Sequence, residues 1–122
     1  MTKLTPCTKL ELRLTETMGW GVFATELIKL GEIVEDCWTI DIPEYEGIDI
    51  LPTHRFHYPA GEVDYEFLTI PTGMATMYNH SNTPNVVWGN HPTIDYAFRF
   101  RAIRDIQMGE QCFIYYGNVE FP

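Results

Sequence analysis

Cysteine, positive charge and long apolar runs are all scarce in this sequence, and each scarcity excludes something. The three cysteines, Cys7, Cys37 and Cys112, are odd in number and share no C-x-x-C spacing. Neither a disulfide framework nor a cysteine zinc site is therefore expected. His54 and His57 stand three apart, as metal ligands can, but no carboxylate or cysteine accompanies them at a matching spacing, so no metal is expected. Lys and Arg number 8 against 17 Asp and Glu, a formal charge of −9. Binding a nucleic-acid backbone relies on clustered cations that displace counterions, so direct nucleic-acid binding is not expected. A basic protein or peptide is the more natural partner. No apolar run approaches the roughly 18 residues of a membrane helix, and the N-terminus lacks a basic-then-apolar leader pattern. The expectation is a soluble, reduced, intracellular chain with no membrane partner, cytoplasmic or nuclear, and in a host cell if its source is viral.

Helical periodicity is also missing, apart from a turn or two over 62–69. What is present is alternation. Leu10 to Leu14 alternates apolar and polar, and Ile94 to Arg101 does so more cleanly, with Ile94, Tyr96, Phe98 and Phe100 on one face. Ile33, Val34, Cys37, Trp38 and Ile40 predict a deeply buried strand within 32–40. Further strands are predicted at Val86–Trp88 and Cys112–Tyr116, with Cys112 as a small core residue. The class is mainly β. A chain of 122 residues suits one domain, 1–122, burying roughly two-thirds of its unfolded surface. Pro43, Gly47, Pro52, Pro59, Gly61, Pro71 and Gly73 break any periodicity over about 41–73, which predicts an irregular insert. Its Tyr45, Tyr58 and Tyr65 are expected to pack rather than to line a cleft.

A weak internal repeat is visible. Ile28-Lys29-Leu30-Gly31-Glu32 returns as Ile106-Gln107-Met108-Gly109-Glu110, and Ala24 and Ala102 keep the same offset of 78 residues. Two similar strand-turn-strand units facing each other are the expectation.

Three short stretches carry chemistry. Gly19-Trp20-Gly21-Val22-Phe23-Ala24 suits a backbone that turns sharply and approaches a ligand closely. Tyr78-Asn79-His80-Ser81-Asn82-Thr83-Pro84-Asn85 is an uncharged turn whose Asn and Ser bond their own backbone and whose proline biases Thr83 toward extension. The third is Gly109-Glu110-Gln111-Cys112-Phe113-Ile114-Tyr115-Tyr116-Gly117. In order and spacing they resemble the three signature motifs of the SET-domain protein-lysine methyltransferases, G-x-G-V-F-A, N-H-S-x-x-P-N and G-E-E-L-x-x-x-Y-G.

The resemblance implies a β-clip of small twisted sheets whose C-terminal segment forms a pseudoknot beside the Asn-His-Ser turn. It implies S-adenosylmethionine (AdoMet) as cofactor and the side-chain amine of a protein lysine, in histones among other targets, as methyl acceptor. By motif match, Gly19, Trp20 and Gly21 hold the amino-acid end of AdoMet. Asn79 and His80 hold its amino-acid and adenine parts, Tyr116 is the catalytic tyrosine beside the cofactor, and Phe121 stacks on adenine. Departures from the pattern are Gln111 for a second acidic residue and Glu120 where relatives carry an aromatic of the lysine channel. No cysteine-rich segment after the domain is expected. The insert, the substrate or a second subunit of a homodimer would then cover the cleft. A lysine methyltransferase and a SET-like module that binds AdoMet or a basic peptide without turnover both fit these residues.

Overall fold

A computed structural model describes residues 3–43 and 67–115. Eight strands run through them, namely β1 Leu10–Leu14, β2 Trp20–Ala24, β3 Ile33–Pro43, β4 Phe67–Pro71, β5 Asn79–His80, β6 Val86–Asn90, β7 Ala97–Ala102 and β8 Gln111–Ile114. A 3-10 turn, Ala75–Met77, precedes β5. The strands form two four-stranded sheets, ordered β1-β2-β8-β5 and β4-β3-β7-β6. This is the expected mainly-β architecture of small sheets. Among the described residues, no helix is long and apolar enough to cross a membrane.

One core joins the two sheets. Val22, Ala24, Cys112 and Ile114 from the first meet Val34, Cys37, Val86, Phe98 and Phe100 from the second. Cys112 is a fully buried core residue, as expected of a small apolar side chain in this strand, and all three cysteines are free. Tyr78 stacks on Phe100 with ring centroids 5.0 Å apart, and Trp88 meets Phe98 edge-on at 5.1 Å. Such pairs add about 0.5–1.5 kcal/mol beyond the area they bury.

The internal repeat is a structural fact. Ile28 and Ile106 form an antiparallel bridge, donating to each other's carbonyls at 2.9 and 2.7 Å. Gly31 donates to Ala102 and Gly109 to Ala24, both at 2.8 Å, while Ala102 and Ala24 donate back to Glu32 and Glu110 at 3.0 Å. Within each turn the glutamate caps its own start, Glu32 accepting from the Lys29 amide and Glu110 from the Gln107 amide. Each unit thus satisfies the backbone of the other, which binds 24–32 to 102–110 across the chain.

Four expectations change. The irregular stretch expected over 41–73 is narrower, because β3 continues to Pro43 and pairs with β4 from Pro43↔Phe67 to Thr39↔Pro71. The prolines that hid this pairing sit at its two ends, on and beside an edge strand, where a missing N–H is tolerated. A helical turn over 62–69 is excluded at 67–69 by β4, and the rest of that stretch, with Tyr45, Tyr58, Tyr65, His54 and His57, lies outside the described residues. The alternating strand expected from Ile94 begins only at Ala97. Residues 92–96 form a turn that ends on Tyr96 at φ 57, whose carbonyl accepts from both the amide and the hydroxyl of Thr39. Finally, Trp38 and Ile40 are exposed although they were read as part of a buried run. The buried residues of that run are Val34, Glu35, Asp36, Cys37 and Thr39, two of them acidic.

Candidate functional site

The hairpin between β1 and β2 is closed by Thr15, whose amide and hydroxyl both donate to the Gly19 carbonyl at 2.7 Å. Gly19 turns the chain at φ +71, which favours glycine. Gly21 is needed for a different reason. A Cβ there would lie 2.5 Å from Gln111 Oε1 and 3.0 Å from Asn79 Nδ2, so the β2 backbone passes directly beneath these two side chains. Trp20 between the glycines is 54% exposed.

Asn79 joins the three motifs. Its Nδ2 donates to the Trp20 carbonyl at 3.2 Å and to Gln111 Oε1 at 2.8 Å. Its strand β5 runs parallel to β8, with Asn79 opposite Phe113 and His80 opposite Ile114, and the Ser81 amide extends the pairing to Ile114 O at 2.9 Å. The His80 ring stands 4.9 Å from that of Tyr115, and its Nε2 is 3.1 Å from Asn82 Oδ1.

Asn85 does more than turn the chain. It is fully buried, and its side chain donates to Gln111 O at 2.9 Å and accepts from Phe113 N at 2.7 Å. One side-chain amide therefore acts as a strand partner for β8, fixing it beside the Asn-His turn. The sequence marks Pro84-Asn85 as turn chemistry; the added signal is that an asparagine side chain, like a glutamine, offers a donor and an acceptor in a backbone-like amide.

Two buried acidic residues were missed. Glu35 accepts from the Tyr78 hydroxyl at 2.5 Å, the Met74 amide at 3.1 Å and the Cys37 thiol at 3.3 Å. Burial pushes its carboxyl above the usual range, and these hydrogen bonds offset part of that shift. Asp36, by contrast, binds Arg99 through Nε at 2.9 Å and Nη2 at 3.2 Å, and accepts from the Thr5 amide. Burial alone would raise its pKa, but Arg99 and Thr5 outweigh it and hold the carboxyl below its usual value. The available signal was a pair of carboxylates inside an otherwise apolar strand.

Of the residues singled out in the sequence, the structure brings Gly19, Trp20, Gly21, Asn79 and His80 together with Gln111 and Tyr115. Tyr116 and Phe121 lie outside the described residues. Among the described residues no group of three or more His, Cys, Asp or Glu side chains is placed to hold a metal.

The profile of the SET domain matches residues 19–117, from the first glycine of the hairpin to the last motif. The chain belongs to the SET-domain family. It is 29% identical over 114 residues to a histone-lysine N-methyltransferase of Schizosaccharomyces pombe specific for lysine 37 of H3, covering 89% of this chain and 74% of that protein. Among solved structures, a Plasmodium falciparum protein described as a histone methyltransferase superposes with a TM-score of 0.74 at 28% identity, over 90% of this chain and 94% of its own. A humanized mutant of the Chaetomium thermophilum Polycomb Repressive Complex 2, bound to the inhibitor GSK126, shares the fold at a TM-score of 0.65 and 24% identity. That match covers 95% of this SET domain but 15% of the larger chain.

Proposed function

We propose that this SET domain is an AdoMet-dependent methyltransferase acting on a lysine side chain in a basic protein or peptide. The observation that carries the reading is the Asn79 amide, bonded at once to the Trp20 carbonyl and to Gln111, which gathers the three family motifs at one place. The residues fit the amino-acid end of such a cofactor. Asn79 Nδ2 is engaged by two acceptors, so its Oδ1, with no partner among the described residues, is the atom that accepts from an ammonium group. Gly21 lets the β2 backbone pass directly beneath Asn79 and Gln111, where a Cβ would collide with both side chains and displace the Asn79 amide.

When bound, AdoMet supplies a methyl group on a positively charged sulfur. In this reading Gly19, Trp20, Gly21, Asn79 and His80 hold the cofactor, with the His80 ring braced by Asn82 and Tyr115. By the motif match, Tyr116 would supply its hydroxyl as a weak acceptor toward the methyl, and Phe121 would supply an aromatic face for the adenine. The acceptor lysine must arrive neutral, yet at an ordinary pKa only about one amine in 2,500 is neutral at pH 7. An apolar channel lowers that pKa by desolvation, and a nearby positive charge lowers it further. Alignment of nitrogen and methyl by the channel supplies the rest of the rate. The formal charge of −9 favours substrates with cations beside the target lysine.

The test is calorimetric titration with AdoMet and its demethylated product, followed by methyl transfer to a panel of basic peptides. Saturation at about 100 times the dissociation constant should stabilise the fold by roughly 2.7 kcal/mol. Absence of both binding and stabilisation ends the cofactor assignment. Binding without transfer to any peptide selects the second reading, a binding module, which Glu120 in place of a channel aromatic favours.

A further inference from the structure

Glu35 lies on β3, in the second sheet, whereas Asn79 and His80 form β5 at the edge of the first. Between the sheets runs the 3-10 turn Ala75–Met77, and Glu35 holds both of its ends. Oε1 accepts from the amide of Met74, the residue before the turn, which supplies no side-chain cap of its own. Oε2 accepts from the hydroxyl of Tyr78, the residue after it. The approach to the turn is shaped by the same carboxylate. Gly73 sits at φ +70, and a Cβ there would lie 2.5 Å from Glu35 Oε1. Tyr78 is locked on its other side by the stack on Phe100. Asn79 is the next residue, so the position of β5 follows from where Tyr78 is pinned.

We propose that Glu35 is a positioning residue for the candidate cofactor site, setting the Asn79 amide and the His80 ring through Tyr78 and the turn that Tyr78 closes. The chemistry of the group explains why a carboxylate is buried there. Three donors converge on it, from Tyr78, Met74 and Cys37, and a carboxylate offers acceptors only. An apolar replacement would leave the Tyr78 hydroxyl and the Met74 amide without a buried acceptor. Glutamine keeps the shape but turns an N–H₂ toward one of the donors, so Glu35→Gln loosens the clamp without opening a cavity. Tyr78→Phe removes the other half of the clamp and keeps the ring stack.

That β5 belongs to a cofactor site rests on the function proposed above, so the experiment separates the two. Amide hydrogen exchange and the Asn79 side-chain amide resonances are followed by NMR in the free protein. The Ser81 amide, bonded to Ile114 O just beyond β5, should exchange about tenfold faster in Glu35→Gln and in Tyr78→Phe, with shifted Asn79 side-chain signals. The Ile28 and Ile106 amides, in the reciprocal pair away from the clamp, should keep the parent's rates. Because the two residues act through one bond, the double variant should be no worse than the more severe single one. Unchanged exchange at Ser81 overturns the proposal, and so does equal acceleration at Ile28 and Ile106, which means general destabilisation. Titration with AdoMet then adds a second arm. The parent should bind, and each variant should bind about tenfold more weakly, the scale of losing a group that orients a binding residue. A parent that binds no AdoMet defeats the cofactor reading and leaves the exchange result to decide the role of Glu35.

Discussion

Ile28 and Ile106 exchange both of their backbone hydrogen bonds although 78 residues separate them. The two turns beyond them, at Gly31 and Gly109, have nearly the same φ, +84 and +88, and nothing within 4 Å of where a Cβ would stand. Alanine at either position therefore meets only the left-handed backbone penalty, about 1–2 kcal/mol. Urea denaturation of Gly31→Ala and Gly109→Ala should give losses in that range that agree with each other within about 0.5 kcal/mol. A larger gap would mean that the two turns, alike in geometry, differ in energy.

Asn85→Ala should be among the more damaging single changes. It removes one donor and one acceptor in a fully buried place, leaving Gln111 O and Phe113 N without these partners. Each orphaned group is worth about 1–3 kcal/mol, so a loss of roughly 2–6 kcal/mol is expected in chemical denaturation. Asn85→Asp keeps the acceptor for Phe113 but turns a carboxylate oxygen toward the Gln111 carbonyl, and it should recover part of the loss at most. Full stability of the aspartate would show that the Gln111 bond contributes nothing.

The contrast between Asn79 and Glu35 shows what was legible in the sequence. Asn79, Trp20 and Gly21 belong to short motifs whose residue types are tied to local geometry, and the structure brings them together. The repeat at Ile28 and Ile106 was legible for the same reason, since a turn with a left-handed glycine repeats its residue pattern. Glu35 was not legible, because its meaning depends on Met74 and Tyr78, about 40 residues away in the chain. Periodicity alone reads the strand around it as apolar. Ile94 and Tyr96 misled in the opposite sense, continuing an alternation past the point where His91 turns the backbone.

His91 makes stability depend on pH near neutrality. Its Nδ1 accepts from the Thr93 and Ile94 amides at 3.1 and 3.0 Å, so the ring's proton sits on Nε2, 3.5 Å from Asp36 Oδ2. Arg99 Nη2 is 2.9 Å from the same Nε2, a meeting of two donors rather than a hydrogen bond in this tautomer. Burial, and then the Arg99 charge, lower the pKa of His91, with Asp36 opposing them. Below about pH 6.5 the unfolded chain binds a proton that the folded ring resists. Stability due to this group is thus present above that pH and falls as the pH drops through it. The Asp36–Arg99 pair, with its lowered carboxyl pKa, is lost only in a separate window below about pH 4. His91→Asn, which keeps a side-chain acceptor for the turn, should flatten the thermal stability profile between pH 5 and 7. An unchanged slope would assign the dependence to other groups, the other histidines or the raised carboxyl of Glu35.

Gly21→Ala tests the close passage of β2 beneath Asn79 and Gln111. The Gly21 φ is not positive, so the obstacle is space, 2.5 Å to Gln111 Oε1. Overpacking of this kind costs about 1–3 kcal/mol. AdoMet binding should weaken by about tenfold or more as Asn79 is displaced, on the same arithmetic. Adding Gln111→Ser, which withdraws the obstructing oxygen, should restore part of the stability lost by the alanine. If the double variant is no more stable than Gly21→Ala alone, Gln111 is not what excludes a side chain there.

Tyr116→Phe addresses the chemical step. In the proposed reaction the phenol ring packs and the hydroxyl acts only while the methyl moves, so the variant should keep the fold and most of the AdoMet affinity. Methyl transfer to a basic peptide should fall by a factor on the order of a hundred or more, the scale of losing one preorganised polar group. The pH dependence separates this loss from a change in the acceptor. Each unit of pH below the amine's pKa removes nine-tenths of the neutral lysine, so the rate of the parent should rise about tenfold per unit until the channel-lowered pKa is passed. If Tyr116 acts on the methyl and not on the amine, the variant's profile should run parallel to the parent's at a lower level. A profile displaced along the pH axis would instead place the Tyr116 hydroxyl in the deprotonation of the lysine, and equal rates in the two proteins would remove it from the chemistry.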